Sequence, residues 1–285
     1  MANTILGWNM IRKLYPDGKK KAFNVTFDDG ILQDVRFVEL MNQYGLKGTF
    51  NLNYELMRQE FEWVHETGLV VKRLPESVVV DLYQGHEVAS HSLTHPSLDN
   101  LSKEAILYEL EHDKWCLSQL FGCEIAGFGV PFDYYDEHIA ECAKWLGFEY
   151  VRTSEESYSY VPPEDPYFWA AGTYHVMPGF YGFVEGFFDT DVELALCQIV
   201  GHSYDLDVMG LWEYYEGLFH KISEDSNVAP MTNLELVRYL NAMRKVVIND
   251  NYIENLSDRK LWFEIDKNIM CLDANERWIL NSNRF

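Results

Sequence analysis

Short runs of apolar residues alternate with longer stretches in which apolar residues recur at helical spacing, and this alternation extends through most of the chain. Strands buried on both faces are near-continuous apolar runs, whereas helices that pack on a core repeat their apolar positions about every 3.6 residues. The pattern therefore predicts an α/β fold with a parallel sheet. The predicted strands are 22–27, 48–52, 85–90, 125–130, 148–153 and 194–200, and the predicted helices are 33–44, 76–83, 102–120, 136–146 and 232–244.

Two segments depart from this alternation. Residues 154–191 are rich in proline, glycine and aromatic residues, and we expect irregular structure there with one further strand near 174–177. From residue 246 onward, short apolar runs at 246–248, 261–265 and 278–280 are joined by polar turns, a pattern that predicts short strands. We therefore expect one main α/β domain, residues 1–245, and a small β-rich extension, residues 246–285, that packs on it.

The composition narrows the possible compartments and partners. Of the 285 residues 47% are hydrophobic, which is ample for a sizeable core. The net charge of −22 repels phosphate backbones and anionic lipid, so we expect neither nucleic acid nor a membrane as a partner. The five cysteines form no CxxC pair, which favours free thiols in a reducing compartment. Because the N-terminus also shows no signal peptide, we expect a cytoplasmic protein, whose oligomeric state the sequence leaves open.

Two short segments carry the candidate chemistry. Asp28 and Asp29 stand at the end of the first predicted strand, and His91 and His95 follow the third, four residues apart. Two histidines and one carboxylate leave coordination positions open for water, as in a catalytic metal site. The second carboxylate can then accept the proton of the water. Strand alternation would send the two aspartates to opposite faces, but Gly30 indicates that the strand has already ended there, so both side chains can point into the same site. From these four residues we predict a metal-dependent hydrolase.

These segments, Thr26-Phe27-Asp28-Asp29-Gly30 and His91-Ser92-Leu93-Thr94-His95, resemble in order and spacing the first two motifs of the polysaccharide deacetylases. This is the NodB-like family, also called carbohydrate esterase family four, and the resemblance covers roughly residues 20 to 245. It implies a distorted (β/α) barrel of about seven parallel strands. It also implies an enzyme that removes acetyl groups from N- or O-acetylated carbohydrates.

The resemblance implies a role for each motif residue. Asp28 would be the general base, and His202, which ends the strand at 194–200, would protonate the leaving group. The backbone N–H of Phe132, directly after Pro131, would stabilise the oxyanion. One divalent metal, with zinc expected and cobalt, nickel or iron also accepted, would be bound by Asp29, His91 and His95.

The chain also departs from the family pattern. The third motif normally begins with an arginine, but the corresponding segment is Gly129-Val130-Pro131-Phe132-Asp133, with glycine in that place. We hypothesise that Arg152, on the next strand, extends across the site and replaces that arginine beside Asp28. That strand also lacks the usual aspartate, so Asp205 or Asp207 is our candidate for orienting His202.

The substrate and the reaction leave alternatives open. Among the aromatic residues of 154–191, Trp169 is our candidate for stacking on a sugar ring, whereas His86 and His175 are expected to pack or hydrogen-bond rather than bind metal. One alternative is hydrolysis of another non-peptide carbon–nitrogen bond, in a cyclic amide or a formamide. The other is a carbohydrate-binding protein that kept the metal site and lost turnover together with the third-motif arginine.

Overall fold

The structure is a computed structural model that describes residues 11–132, 134–170, 172–249 and 251–280. Asp133 of the third motif, residues 1–10 of the predicted main domain and residues 281–285 of the predicted extension lie outside these residues. The strands are β1 (Ile11–Leu14), β2 (Lys21–Asp28), β3 (Gly48–Leu52), β4 (Glu62–Val64), β5 (Val70–Lys72), β6 (Glu87–Ser90), β7 (Gly127–Gly129), β8 (Tyr150–Arg152), β9 (Thr173–Tyr174), β10 (Ala195–Gly201), β11 (Val228–Pro230), β12 (Val246–Ile248), β13 (Tyr252–Asn255), β14 (Leu261–Ile265), β15 (Asn268–Leu272) and β16 (Arg277–Ile279). The α-helices are α1 (Asp34–Gln43), α2 (Tyr54–Arg58), α3 (Glu76–Leu82), α4 (Lys103–Phe121), α5 (Glu137–Trp145), α6 (Phe180–Asp189), α7 (Tyr204–Met209), α8 (Trp212–Glu224) and α9 (Asn233–Met243).

A parallel sheet of eight strands forms the centre of the described part of the chain. Seven strands are neighbours in the order β8-β7-β6-β3-β2-β10-β9, and β11 pairs with the start of β2. The two ends of this order approach each other through the segment before β9, where Trp169 forms a parallel bridge with Arg152 of β8. The sheet therefore curls, and the predicted distorted (β/α) barrel is confirmed.

Two apolar clusters stabilise this architecture. The larger one lies between the sheet and the surrounding helices and includes Phe27, Phe37 and Phe128. The second includes Leu240 of α9 and Phe263 of β14, so the C-terminal strands pack on the same body as the barrel. Both clusters consist of side chains removed from water, which is the main favourable contribution to folding.

The C-terminal strands form two small antiparallel sheets, β1-β14-β15 and β12-β13-β16. Strands β12, β14 and β16 correspond to the three predicted runs. Because β1 from the N-terminal part pairs with β14, the first of these sheets combines the two ends of the chain. The division at residue 245 stays a prediction.

One helix contradicts the prediction for residues 154–191. Helix α6 lies in the segment expected to be irregular, and it buries Phe180, Phe183, Val184 and Phe187, which have helical spacing. Glycine and aromatic residues have low helix propensity, but burial of this apolar face outweighs propensity. In the described residues, no helix combines the length and apolar character needed to cross a lipid bilayer.

Candidate active site

The two neighbouring aspartates lie in one cleft of about 920 Å³ at the carboxyl ends of the strands. Asp28 is the last residue of β2, and Asp29 has a φ of 85°, in the left-handed region. This conformation ends the alternation of the strand, as the sequence predicted from Gly30. A non-glycine residue there is strained, which is typical of functional sites.

The histidine pair follows β6 directly. His91 is the first residue after the strand, and Ser92 and His95 have φ values of 65° and 56°. This turn brings the two rings to 4.8 Å between their centroids. One ligand atom each from Asp29, His91 and His95 lies within 4.8 Å of the others. The structure therefore brings together the three residues that the resemblance implies as ligands.

The donor set fits a divalent metal. Asp29 Oδ1 is buried and accepts no hydrogen bond from the described residues, although the Arg73 guanidinium lies 3.0 Å from it as a counter-charge. His91 Nδ1 lies 2.8 Å from the carbonyl of Gly129, and donation to this oxygen leaves Nε2 with its lone pair toward Asp29. Burial lowers the pKa of His91 to about 3 and also lowers the pKa of His95, so both imidazoles are neutral at pH 7. Two neutral imidazoles and one carboxylate suit zinc, iron, cobalt or nickel.

Arg73 is a residue of this site that the sequence analysis missed. It directly follows β5, and its Nη1 lies 3.0 Å from Asp29 Oδ1 and donates to Asn53 Oδ1 at 2.9 Å and to the Asp29 carbonyl. Burial alone would raise the pKa of Asp29, but Arg73 and the neighbouring histidines outweigh it and hold that pKa below its usual range. Asp29 is therefore a carboxylate at neutral pH.

Asp28 has its own guanidinium partner. Arg152 Nη2 donates to Asp28 Oδ1 at 2.5 Å, and Asn51 Nδ2 donates to the same oxygen at 2.7 Å. Burial opposes ionisation of Asp28, but Arg152, His91 and His202 lower its pKa. This contact places Arg152 where the hypothesis requires it.

Gly129 explains how Arg152 fits there. It is the register partner of Arg152 on the neighbouring strand β7. A Cβ on Gly129 would lie 2.8 Å from Arg152 Nη2 and 2.7 Å from Asn51 Cγ, too close for either atom. The absence of a side chain at Gly129 therefore leaves the space that the Arg152 guanidinium and the Asn51 amide occupy.

His202 lies on the other side of the aspartates. Its Nε2 is 3.7 Å from Asp29 Oδ2, and its Nδ1 is 3.3 Å from Asp205 Oδ2 and 2.8 Å from the Tyr174 hydroxyl. Burial lowers the pKa of His202, but Asp205 and the two active-site aspartates outweigh it and raise it to about 9. Asp205 thus contacts His202 as one alternative proposed.

Asp207, the other alternative, does not contact His202. It is exposed and accepts hydrogen bonds from Gln33 Nε2 and Trp212 Nε1. The helical turn of α7 points it away from the cleft. His175 instead bonds to Asp205 through Nε2 at 2.9 Å, which agrees with the expectation that it hydrogen-bonds.

Of the residues predicted to stabilise the oxyanion and to stack on sugar, Phe132 lines the cleft and Trp169 does not. Phe132 lines the cleft with a φ of 56°, and its ring lies 4.6 Å from that of His95. Pro131 before it has no N–H to donate. Trp169 is fully buried in the second apolar cluster and donates its Nε1–H to Gln198. The expectation that Trp169 stacks on sugar is therefore wrong, because neither ring face is accessible.

Some of these contacts had a signal in the sequence and others had none. Asn51 and Asn53 alternate with apolar residues at the end of β3, and this period of two predicts side chains directed into the barrel mouth. Arg73 stands in an ordinary Lys-Arg-Leu segment, and only the position of the β4–β5 hairpin brings it to Asp29.

The family comparison agrees with this geometry. Residues 16–151 match the family model described as polysaccharide deacetylase. The resemblance inferred from the motifs is thereby confirmed over this part of the chain. No curated protein sequence matches the chain.

Solved structures with TM-scores above 0.5 share the fold at low sequence identity. A Mycobacterium smegmatis protein assigned to the polysaccharide deacetylases is 15% identical with a TM-score of 0.59, over 82% of this chain and 94% of that one. PuuE allantoinase is 10% identical with a TM-score of 0.59, over 79% and 91%. The match to Streptococcus pyogenes deacetylase PplD, in complex with acetate, has 19% sequence identity and a TM-score of 0.41. It covers 46% of this chain and 55% of PplD, so this chain spans about half the length of that protein.

Proposed function

We propose that this chain, which matches the polysaccharide deacetylases over residues 16–151, hydrolyses the acetyl group of an N- or O-acetylated carbohydrate with one divalent metal, zinc by preference. The observation that carries the proposal is the pairing, in one cleft, of a buried carboxylate, Asp28, with the ligand set Asp29, His91 and His95. A general base beside a three-residue metal site is the arrangement that hydrolytic metalloenzymes use.

The roles follow from the protonation states. A metal held by the three ligands would supply Lewis-acid polarisation of the water and of the acetyl carbonyl. Asp28, ionised at neutral pH, accepts the proton of the attacking water. The Phe132 N–H donates to the developing oxyanion. His202, whose raised pKa keeps it protonated, donates its proton through Nε2 to the departing amine or alkoxide.

Arg152 acts on this reaction through Asp28. Its hydrogen bond fixes the orientation of the carboxylate and keeps it ionised. We therefore assign Arg152 as a positioning residue that does for Asp28 what an arginine at position 129 would do. Asn51 holds the same oxygen from the neighbouring strand.

A substrate panel tests the function. Purified protein is loaded with zinc and incubated with N-acetylglucosamine oligomers, acetylated xylan, a cyclic amide and a formamide. We expect acetate from one of the sugars, loss of release with a chelator and recovery with added metal. Asp28→Asn should lower kcat by about 10²–10⁴-fold with metal content unchanged.

Other products separate the alternatives. Ring opening or formate release without acetate would contradict the proposal and support hydrolysis of a different carbon–nitrogen bond. Sugar binding without any release would support the binding-protein alternative.

A further inference from the structure

One side of the cleft is an aromatic wall formed by Phe61, Trp63 and Tyr204. The rings of Phe61 and Trp63 stack with centroids 6.3 Å apart, and Tyr204 meets Trp63 edge to face at 5.9 Å. All three line the same cleft as Asp28 and His202. The mechanism above uses none of these rings.

The wall is anchored to the catalytic groups at two points. Trp63 lies on the β4–β5 hairpin, and the guanidinium of Arg73, which contacts Asp29, lies 5.3 Å from the centre of the Trp63 ring. Tyr204 stacks on His202 with centroids 5.0 Å apart. The hairpin is also fixed by backbone bonds from Arg73 to Phe61 and from Leu74 to Gly30. The wall therefore has a defined position relative to the proposed ligands and the proposed acid.

The exposure of the wall indicates a ligand. Phe61 leaves 44% of its surface accessible although it lines a concave site. Apolar rings in a cleft that also contains a few polar groups are typical of small-molecule binding sites. Polar groups are present here, since Ser154 and Glu156 line the same cleft. A pyranose ring, with C–H groups on its faces and hydroxyls at its edge, matches a cleft that offers both aromatic rings and polar side chains.

We propose that Phe61, Trp63 and Tyr204 form the stacking platform for the pyranose ring that carries the scissile acetyl group. This inference rests on the proposed function and names the subsite that its substrate occupies. Trp63 is the central residue, because it contacts both other rings and lies over Arg73. The platform takes the place in the binding site that the sequence analysis had given to Trp169.

Kinetics of Trp63 variants test the platform. Trp63→Ala should raise KM for the best acetylated sugar about tenfold, equivalent to about 1.4 kcal/mol, with kcat within about twofold of the parent. Trp63→Phe keeps a ring face and should recover most of the affinity. The matched control is Trp115→Ala, because Trp115 is 63% exposed on α4 and does not line the cleft.

Two results would overturn the platform. One is an unchanged KM in Trp63→Ala. The other is a fall in kcat at constant KM, which would mean that the ring only holds Arg73. Calorimetric binding of N-acetylglucosamine oligomers to chelator-treated protein separates this inference from the proposed function. If the chelator-treated parent binds sugar, Trp63→Ala binds it at least about tenfold more weakly and neither protein releases acetate after reloading with zinc, the platform stands as a sugar site and the deacetylase proposal fails. Equal binding by both proteins overturns the platform.

Discussion

At the scale of single residues, the environment of Asp28 depends on where a guanidinium group lies and not on which strand carries it. Arg152 reaches Asp28 from β8, and Gly129, its register partner on β7, leaves the space for it. This exchange could be proposed from the sequence because Gly129 stands in the place of the motif arginine and Arg152 lies within the next predicted strand. The alternation in β3 directs Asn51 toward the barrel mouth, but its hydrogen bond to Asp28 was not predictable, since that contact depends on the exact register of β2 and β3.

The exchange gives a prediction that can be checked by swapping the two residues. Arg152→Gly should lower kcat about 10²-fold, because Asp28 loses its orienting partner, while bound metal per chain stays unchanged. Gly129→Arg alone should also lose activity, because its Cβ meets Asn51 and Arg152. The double variant keeps the close approach to Asn51 but removes the one to Arg152, so it should regain about tenfold over Arg152→Gly. Steady-state kinetics and metal analysis check this, and a double variant no better than Arg152→Gly would refute the exchange.

At the scale of elements, the ends of the strands were the predictable part of the site. A polar or charged residue that ends an apolar strand is expected at the mouth of the barrel. For this reason Asp28, Asp29 and His91 could be predicted from the sequence. Helix α4 was likewise predictable, because Ser102 caps its first turn and Gly122 ends it in the left-handed conformation. Helix α6 was not predicted, because its glycine and aromatic residues have low helix propensity and this outweighed the helical spacing of its apolar residues in the prediction.

His86, in the turn between α3 and β6, predicts a dependence of stability on pH. Its Nδ1 accepts from the Gly48 N–H and its Nε2 lies 3.2 Å from Asn42 Oδ1, so one ring joins β3 and α1. Burial and the nearby Lys47 lower its pKa to about 4 from the ordinary 6.5. The folded state therefore prefers the neutral ring, and the stability it contributes is complete above pH 6.5 and is lost as the pH falls toward 4.

The size of this loss is on the order of 1–3 kcal/mol. His86→Asn retains an acceptor for Gly48 and removes the titration. Urea unfolding at pH 7 and pH 4.5 should show a larger loss of unfolding free energy in the parent than in the variant. Equal losses in both proteins would show that the pKa of His86 does not differ between the folded and unfolded states.

At the scale of the whole molecule, the sequence predicted the parallel βα succession but not how the barrel closes. Closure depends on the bridge from Trp169 to Arg152, which joins segments that no strand pattern had connected. The pairing of β1 with β14 was equally hidden, since the two strands are about as far apart in sequence as the described chain allows. Long-range pairings of this kind are decided by packing of the complete core.

Trp169 is therefore expected to be a stability residue of the barrel. Trp169→Ala should lower the free energy of unfolding by about 3–5 kcal/mol, because it leaves a large cavity in the second cluster. Trp169→Phe keeps most of the volume and should cost about 1–2 kcal/mol, chiefly the lost bond to Gln198. Denaturant unfolding of both variants measures these values. A loss under about 1 kcal/mol in Trp169→Ala would contradict the stabilising role of the Trp169 side chain, since the backbone bridge to Arg152 is kept in this variant.

Arg73 connects the two proposed binding sites of the cleft. One guanidinium is the counter-charge of Asp29 and at the same time the neighbour of Trp63 on the hairpin. A bound molecule that displaces the hairpin therefore also changes the electrostatic environment of the Asp29 carboxylate. If a cation binds at Asp29 and a sugar stacks on Trp63, as proposed, each alters the affinity of the other by the same factor.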